Sequence, residues 1–282
     1  MKSLFLASLS ALTLACNPFK EKCTIGDVDF ESIGRINYRT CSYLEIAKWG
    51  SEDFLLISEF NGAPWRSGSV AIVAGVKDAV TNGGLDDLKP VTLDPRPYKF
   101  ESPNNAKVVP DDVFAGENVV MVPDGFVIPG HRNGGVYLLV QDGSDITKTK
   151  KTCRITPELP GIWYHTGHWI DMNGDGLKDL LIARTNSEVD GGELMWFEQP
   201  ASGALDDIEW TPHLITTGPD VYTSVEDLGG NEILVWAAIF FSEEVGVYKI
   251  STASGSPGDL LNSRIFDSND IKLGGVEPKR SY

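Results

Sequence analysis

The sequence predicts an all-β chain, a β-propeller of four-stranded blades with about four blades visible, and two observations carry that prediction. One order of elements, strand, turn, strand, glycine, strand, recurs four times along the 282 residues. The glycines ahead of the third strand, Gly68, Gly135, Gly192 and Gly246, follow one another at intervals of 67, 57 and 54 residues. Units of four antiparallel strands bury their faces by stacking on their neighbours around a ring. A β-sandwich also has many short strands, but it does not repeat one order four times.

The elements follow in chain order. Residues 1–19, MKSLFLASLSALTLACNPF, carry one Lys, an apolar run from Leu4 to Ala15 and small residues near the end. Those are the three regions of a secretory signal, and the run is too short to span a bilayer. A secreted, extracellular protein is therefore expected, or one lipid-anchored at Cys16 if the host is bacterial, where Thr13 departs from the preferred lipobox residue. Residues 20–40 form an N-terminal arm, in which Val28 to Thr40 has the look of an outer strand that could close the ring. Residues 41–282 are the propeller.

Its first unit places strands at Tyr43 to Ala47, Phe54 to Ile57 and Val70 to Val73. The second places them at Asn118 to Val122, Phe126 to Ile128 and Val136 to Val140. The third has Gly167 to Ile170, Leu180 to Arg184, Glu193 to Phe197 and Ile208 to Thr216. The fourth has Tyr222 to Glu226, Ile233 to Ala238 and Val247 to Ile250. The final GGVEPKRSY stops where another inner strand would begin, so both a shortened ring and one closed by the N-terminal strand are compatible with the pattern.

The third unit holds the most specific motif. In DMNGDGLKD, Asp171, Asn173, Asp175 and Asp179 sit at relative positions 1, 3, 5 and 9, and the Leu177 carbonyl at 7. Oxygens at alternate positions of a tight curl point at one centre, which is what a calcium ion requires. Gly174 and Gly176 supply the backbone freedom for the curl. Position 12 of an EF-hand needs a bidentate Glu, and Ile182 stands there instead. The apolar run Leu180 to Ala183 continues as a strand, so the loop joins two strands. The competing account is an Asx-rich turn that binds nothing.

His168 to Ala183, HWIDMNGDGLKDLLIA, followed by Gly191-Gly192, resembles the VCBS and FG-GAP repeat, the blade type of integrin α-subunit N-terminal propellers. The resemblance implies a propeller with calcium held in the inter-strand loop by Asp171, Asn173, Asp175, Leu177 and Asp179. The corresponding turns of the other units, Trp49 to Asp53, Val122 to Gly125 and Asp227 to Asn231, lack the full ligand set, which leaves one metal site in the chain.

A net charge of −16 disfavours nucleic acid and anionic membrane surfaces, which need a basic face. No apolar segment after the leader is long enough to span a membrane. Of the four cysteines, Cys23 and Cys41 could staple the arm to the first strand in an oxidising compartment, with Cys153 left over or paired with Cys16.

Catalytic constellations are sparse. His165 and His168 alternate to opposite faces of an extended strand, no Gly-x-Ser-x-Gly elbow occurs, and the glycine turns lack the Lys of a phosphate loop. Most tryptophans are expected in blade packing, with an aromatic platform for a sugar ring as the alternative. Two function classes remain: a calcium-binding scaffold or adhesion module for an extracellular protein or carbohydrate ligand, and a lyase, isomerase or cyclase acting on a sugar or secondary metabolite in the central channel. His165, His168, Tyr164 and Asp171 are the nearest groups for the second.

Overall fold

The computed structural model describes residues 22–25, 28–50, 52–60, 63, 66–126, 133–186 and 191–266. The leader with Cys16, the side chain of Cys23, His131, Trp65 and the C-terminal 267–282 lie outside the described residues. Strands β1 (Lys22–Ile25) and β2 (Val28–Glu31) form a separate hairpin. Four antiparallel sheets of four strands then follow, each from its own contiguous stretch. Blade 1 holds β3 (Cys41–Trp49), β4 (Glu52–Glu59), β5 (Ser69–Ala74) and β6 (Val91–Thr92), with the short helix α1 (Val76–Asn82) against β4. Blade 2 holds β7 (Lys107–Val108), β8 (Val119–Pro123), β9 (Val136–Asp142) and β10 (Asp145–Arg154). Blade 3 holds β11 (Ile162–Ile170), β12 (Asp179–Asn186), β13 (Gly191–Glu198) and β14 (Thr211–Thr217). Blade 4 holds β15 (Thr223–Gly229), β16 (Glu232–Ile239), β17 (Glu244–Ser251) and β18 (Leu260–Phe266). The first strands lie innermost: β3 meets β7, and β11 meets both β8 and β15. The chain is a four-bladed β-propeller.

Burial follows from position in the ring. Strands β8, β9, β12 and β13 lie between two neighbouring blades, so successive side chains enter opposite seams. Leu180 and Ile182 pack toward blade 2, Leu181 and Ala183 toward blade 4, and all four are fully buried. Three seams are filled this way. Phe54, Leu56, Val120 and Tyr137 pack between blades 1 and 2, Met121, Leu138, Tyr164, Phe197 and Trp210 between 2 and 3, and Leu181, Trp196, Val235 and Tyr248 between 3 and 4. No buried apolar cluster of the described residues joins blade 4 to blade 1. Strand β16 accordingly alternates, with Ile233, Val235, Ala237 and Ile239 buried and Trp236 44% exposed.

A backbone joint accompanies each filled seam. Gly68 donates its N–H to the Glu101 carbonyl at 3.0 Å, Gly134 to that of Ile162 at 2.7 Å, and the Gly192 carbonyl accepts from Gly218 at 2.8 Å. In each case a glycine before the third strand touches the segment leading into the next blade. The approach is too close for a side chain: a Cβ at Gly192 would stand 2.1 Å from the Pro219 oxygen, and one at Gly134 2.1 Å from that of Asp124. Gly246 of blade 4 differs, since the nearest atoms a Cβ there would meet belong to Tyr248 of its own strand.

Several expectations need correction. Residues 118–122 belong to the second strand of blade 2 and not the first, because its inner strand is the two-residue β7, too short to show an alternation. The stretch expected as a strand at Phe126 to Ile128 is not one at Phe126, and 127–128 lie outside the described residues. Val28 to Thr40 closes no blade: β2 pairs with β1 alone and extended pairing stops at Glu31. Cys41 is an exposed free thiol and Cys153 a buried one. The Cys23–Cys41 staple is therefore absent at Cys41, because the strand carrying Cys23 pairs within its own hairpin and not with β3.

Candidate functional site

Three buried aspartates order the backbone, Asp124 after β8, Asp179 at the start of β12 and Asp220 ahead of β15. The Asp124 carboxylate accepts the Ser102 N–H at 2.8 Å and the Glu101 N–H at 2.9 Å, and the Asp124 carbonyl accepts from Tyr164 at 3.2 Å. Blade 2 is thereby tied to β11 beside Trp163 and His165. Asp220 accepts from the Phe240 N–H at 2.8 Å and the Phe241 N–H at 3.0 Å, which fixes the turn between β16 and β17. Asp179 accepts from Met172 and Gln199 at 2.9 and 2.8 Å. Burial pushes Asp124 up to about 7 and Asp179 to about 6, and raises Asp220, against the amide hydrogen bonds that favour the charged forms.

What these staples position is a central cavity of about 230 Å³, lined by Tyr43 from blade 1, Phe126 after β8, Trp163 and His165 of β11, and Val221, Phe240 and Phe241 of blade 4. All four blades thus contribute to one wall. Phe126 lies edge-on to His165 with ring centroids 6.3 Å apart, and Phe240 edge-on to Phe241 at 5.3 Å. His165 is the one imidazole among the described lining residues. It is 3% exposed, and its Nδ1 has no hydrogen-bond partner. Burial alone lowers its pKa to about 4, so the imidazole is neutral at physiological pH. An unpaired buried polar atom costs about 1–3 kcal/mol.

The other groups weighed for catalysis do not converge here. The His168 Nε2 is held by the Thr223 carbonyl at 3.0 Å and the Thr223 hydroxyl at 3.1 Å, joining β11 to β15. Tyr164 is fully buried in the seam between blades 2 and 3, against Phe197. Asp171 remains in its loop. None of the seven described lining residues carries a carboxyl.

The DMNGDGLKD loop has the curl its spacing demands, with Gly174 and Gly176 at φ 74° and 88°. Its oxygens, however, face inward onto the backbone. Asp171 accepts from the Gly174 N–H at 2.7 Å and the Gly176 N–H at 2.9 Å, Asn173 Oδ1 from Asp175 at 3.0 Å, and Asp175 from Leu177 at 2.7 Å. Both Asp179 oxygens are occupied by the amides already named. Among the described residues no three His, Cys, Asp or Glu side chains are disposed to hold a metal. As placed, the loop is a polar turn whose side-chain oxygens accept hydrogen bonds from its own amides.

Sequence reasoning singled out His165 and Trp163 and missed Tyr43, Phe126, Val221, Phe240 and Phe241. The one signal for the last two was their place in an apolar run, IFF, interrupting the strand-turn pattern before Glu243-Glu244.

No helix among the described residues is long and apolar enough to cross a membrane. No family model matches the chain, and no curated protein matches it. Among solved structures it is similar to the Dos1 propeller, at 14% identity over 80% of this chain and 50% of that one, with a TM-score of 0.45. It is also similar to the endo-arabinase of Bacteroides thetaiotaomicron, at 12% identity over 74% of this chain and 76% of that one, TM-score 0.43. A third is the exo-β-1,3-galactanase of Phanerochaete chrysosporium, at 10% identity over 76% and 48%, TM-score 0.43. The chain spans about half the length of the first and third of these.

Proposed function

We propose that this propeller is a binding module whose ligand, a single sugar-like ring, sits in the central cavity. The observation that carries the proposal is the convergence of aromatic rings from four sequence-distant segments on one half-open cavity, with the His165 imidazole among them. Aromatic faces match the apolar face of a pyranose, and an imidazole nitrogen pairs with a hydroxyl. A volume of about 230 Å³ lies below the roughly 300–1,000 Å³ of pockets built for drug-sized molecules, so one ring fits and a chain does not. The test is titration of the intrinsic tryptophan fluorescence with a panel of methyl pyranosides. Saturable binding that His165→Phe and Phe241→Ala each weaken at least about tenfold supports the proposal. A panel without a single binder overturns it.

The enzymatic alternative draws on the same residue. A neutral imidazole is free to accept a proton, and general-base chemistry on a sugar would require substrate binding to raise its lowered pKa. His165 would act there without a partner acid from the wall. Turnover of a bound pyranoside, lost in His165→Phe with binding retained in His165→Gln, would move the assignment from module to enzyme.

Secretion and calcium are separate proposals. The leader-like residues argue for the first, and secretion of a reporter fused to residues 1–19 tests it. For the second, the ion would have to take oxygens now bonded to loop amides, and calorimetric titration of the protein decides. Uptake of one ion with a rise in melting temperature supports the VCBS/FG-GAP likeness, and no uptake leaves the loop as an Asx turn.

A further inference from the structure

Three lysines among the described residues are half-buried, Lys107, Lys178 and Lys249. Lys178 pairs with Asp112 and Lys249 with Glu232, each at 2.7 Å. Lys107 differs, since among the described residues its ammonium has no hydrogen bond and no carboxylate at ion-pair distance, and its interactions are the longer-range ones with Glu45 and His168. A partly desolvated amine without a paired anion costs free energy that an apolar side chain of similar length would not.

Strand alternation brings these three groups together from three blades. The register sets Lys107 opposite Met121, which lies in the seam between blades 2 and 3, while Val108 packs in the seam between blades 1 and 2. Lys107 therefore leaves β7 on the side of blade 3, where β11 carries His168. On β3, Ala47 packs in the seam between blades 1 and 2, and half-buried Glu45, two residues earlier, leaves the strand on that same side. The His168 Nε2 donates to the Thr223 carbonyl at 3.0 Å. Burial, and after it the Lys107 charge, lowers His168 to about 4, so the ring is neutral and sets no second positive charge beside the amine.

We propose that Lys107 is a nucleophilic amine on the innermost strands that forms a reversible imine with an aldehyde, with the Glu45 carboxyl as its proton carrier. The proposal does not rest on the cavity ligand discussed above. Burial lowers the Lys107 pKa and Glu45, which opposes the shift, does not cancel it. The unprotonated fraction, which is the nucleophile, is therefore larger than at an exposed lysine. In the reaction the amine lone pair forms the C–N bond and the carbonyl π pair moves to oxygen. Glu45 carries the two nitrogen protons in turn to that oxygen, which leaves as water when the nitrogen lone pair closes the C=N bond.

Reductive trapping tests this on the native chain. The whole protein is incubated with propionaldehyde and cyanoborohydride near neutral pH, and the propylated lysines are located by peptide mass spectrometry. Lys107 should be modified at least about tenfold faster than exposed Lys89 and Lys99, although it is the less accessible of the three. In Glu45→Gln, checked for an unchanged melting temperature, the Lys107 rate should fall by about tenfold while the two reference lysines keep theirs. Modification of Lys107 no faster than that of Lys89 in the native chain overturns the proposal, whatever the pyranoside titration gives. A Lys107 rate that Glu45→Gln leaves intact overturns the part assigned to Glu45.

Discussion

The seam between blades 2 and 3 and the gap between blades 4 and 1 are built from the same kind of strand with opposite results. In the first, Met121, Leu138, Tyr164, Phe197 and Trp210 are each no more than 4% exposed and interlock across the boundary, and Gly134 locks its backbone to Ile162. In the second, Leu44, Ile46 and Trp236 face outward and share no buried apolar cluster among the described residues. Packing among the described residues accordingly resides in three seams in series. The contrast also separates two jobs of an apolar residue, since the same β-branched or aromatic side chain either fills a seam or remains available to a partner.

The largest expected effect comes from emptying the filled seam. Trp210→Ala or Phe197→Ala should lose about 3–5 kcal/mol in urea unfolding, since a large fully buried side chain leaves a cavity that packed strands cannot close. A loss below about 1 kcal/mol would mean the seam is already loose. Next is Asp124→Ala, which strands the amides of Glu101 and Ser102 and should cost about 2–4 kcal/mol at the joint between blades 1 and 2.

The same group sets a pH dependence. Its folded pKa of about 7 lies above the unfolded carboxyl value, so its protonated form is the one folding favours. The stabilisation is complete below about pH 4 and is lost as pH rises through 7. Melting temperature should fall from pH 5 to pH 8 in the native sequence and change less in Asp124→Asn. A rising profile that Asp124→Asn leaves intact would show that the amide hydrogen bonds outweigh burial.

A smaller effect of opposite sign is expected in the cavity. His165→Phe removes an unpaired buried nitrogen and should stabilise the free protein by about 1 kcal/mol while weakening pyranoside binding. The smallest belongs to the open gap, where Ile46→Ala should change stability by less than about 0.5 kcal/mol. A cost above about 1.5 kcal/mol there would reveal a packed fourth seam and remove the contrast.

Much of the fold was legible because a blade repeats its turn chemistry. Two of the glycines that disclosed the period, Gly68 and Gly192, mark places where the following segment passes within contact of the backbone, a need local enough to leave a residue-level trace. Blade 2 was misphased because β7 has two residues, and the long connection before it, 93–106, carries its order in side-chain bonds such as Asn104 Nδ2 to the Gly125 and Tyr164 carbonyls, at 2.9 and 2.5 Å. The cavity was only half legible. His165 and Trp163 adjoin a recognised motif, whereas Tyr43, Phe126 and Phe240 come from three different blades, a convergence that no local pattern encodes. The aspartate staples were hidden for another reason: Pro123-Asp124 and Pro219-Asp220 look like ordinary turn dipeptides until their burial is known.

The glycine joints bear on how the order of the ring is remembered. Each is a contact of main chain with main chain, so it carries no chemical address that would tell one blade from another. Sequence identity enters only through the apolar filling of a seam, and succession only through the peptide connection. Such an arrangement lets surface and seam residues drift independently in each unit, while a methyl group added at Gly192 or Gly134 would leave the following unit without a place to start.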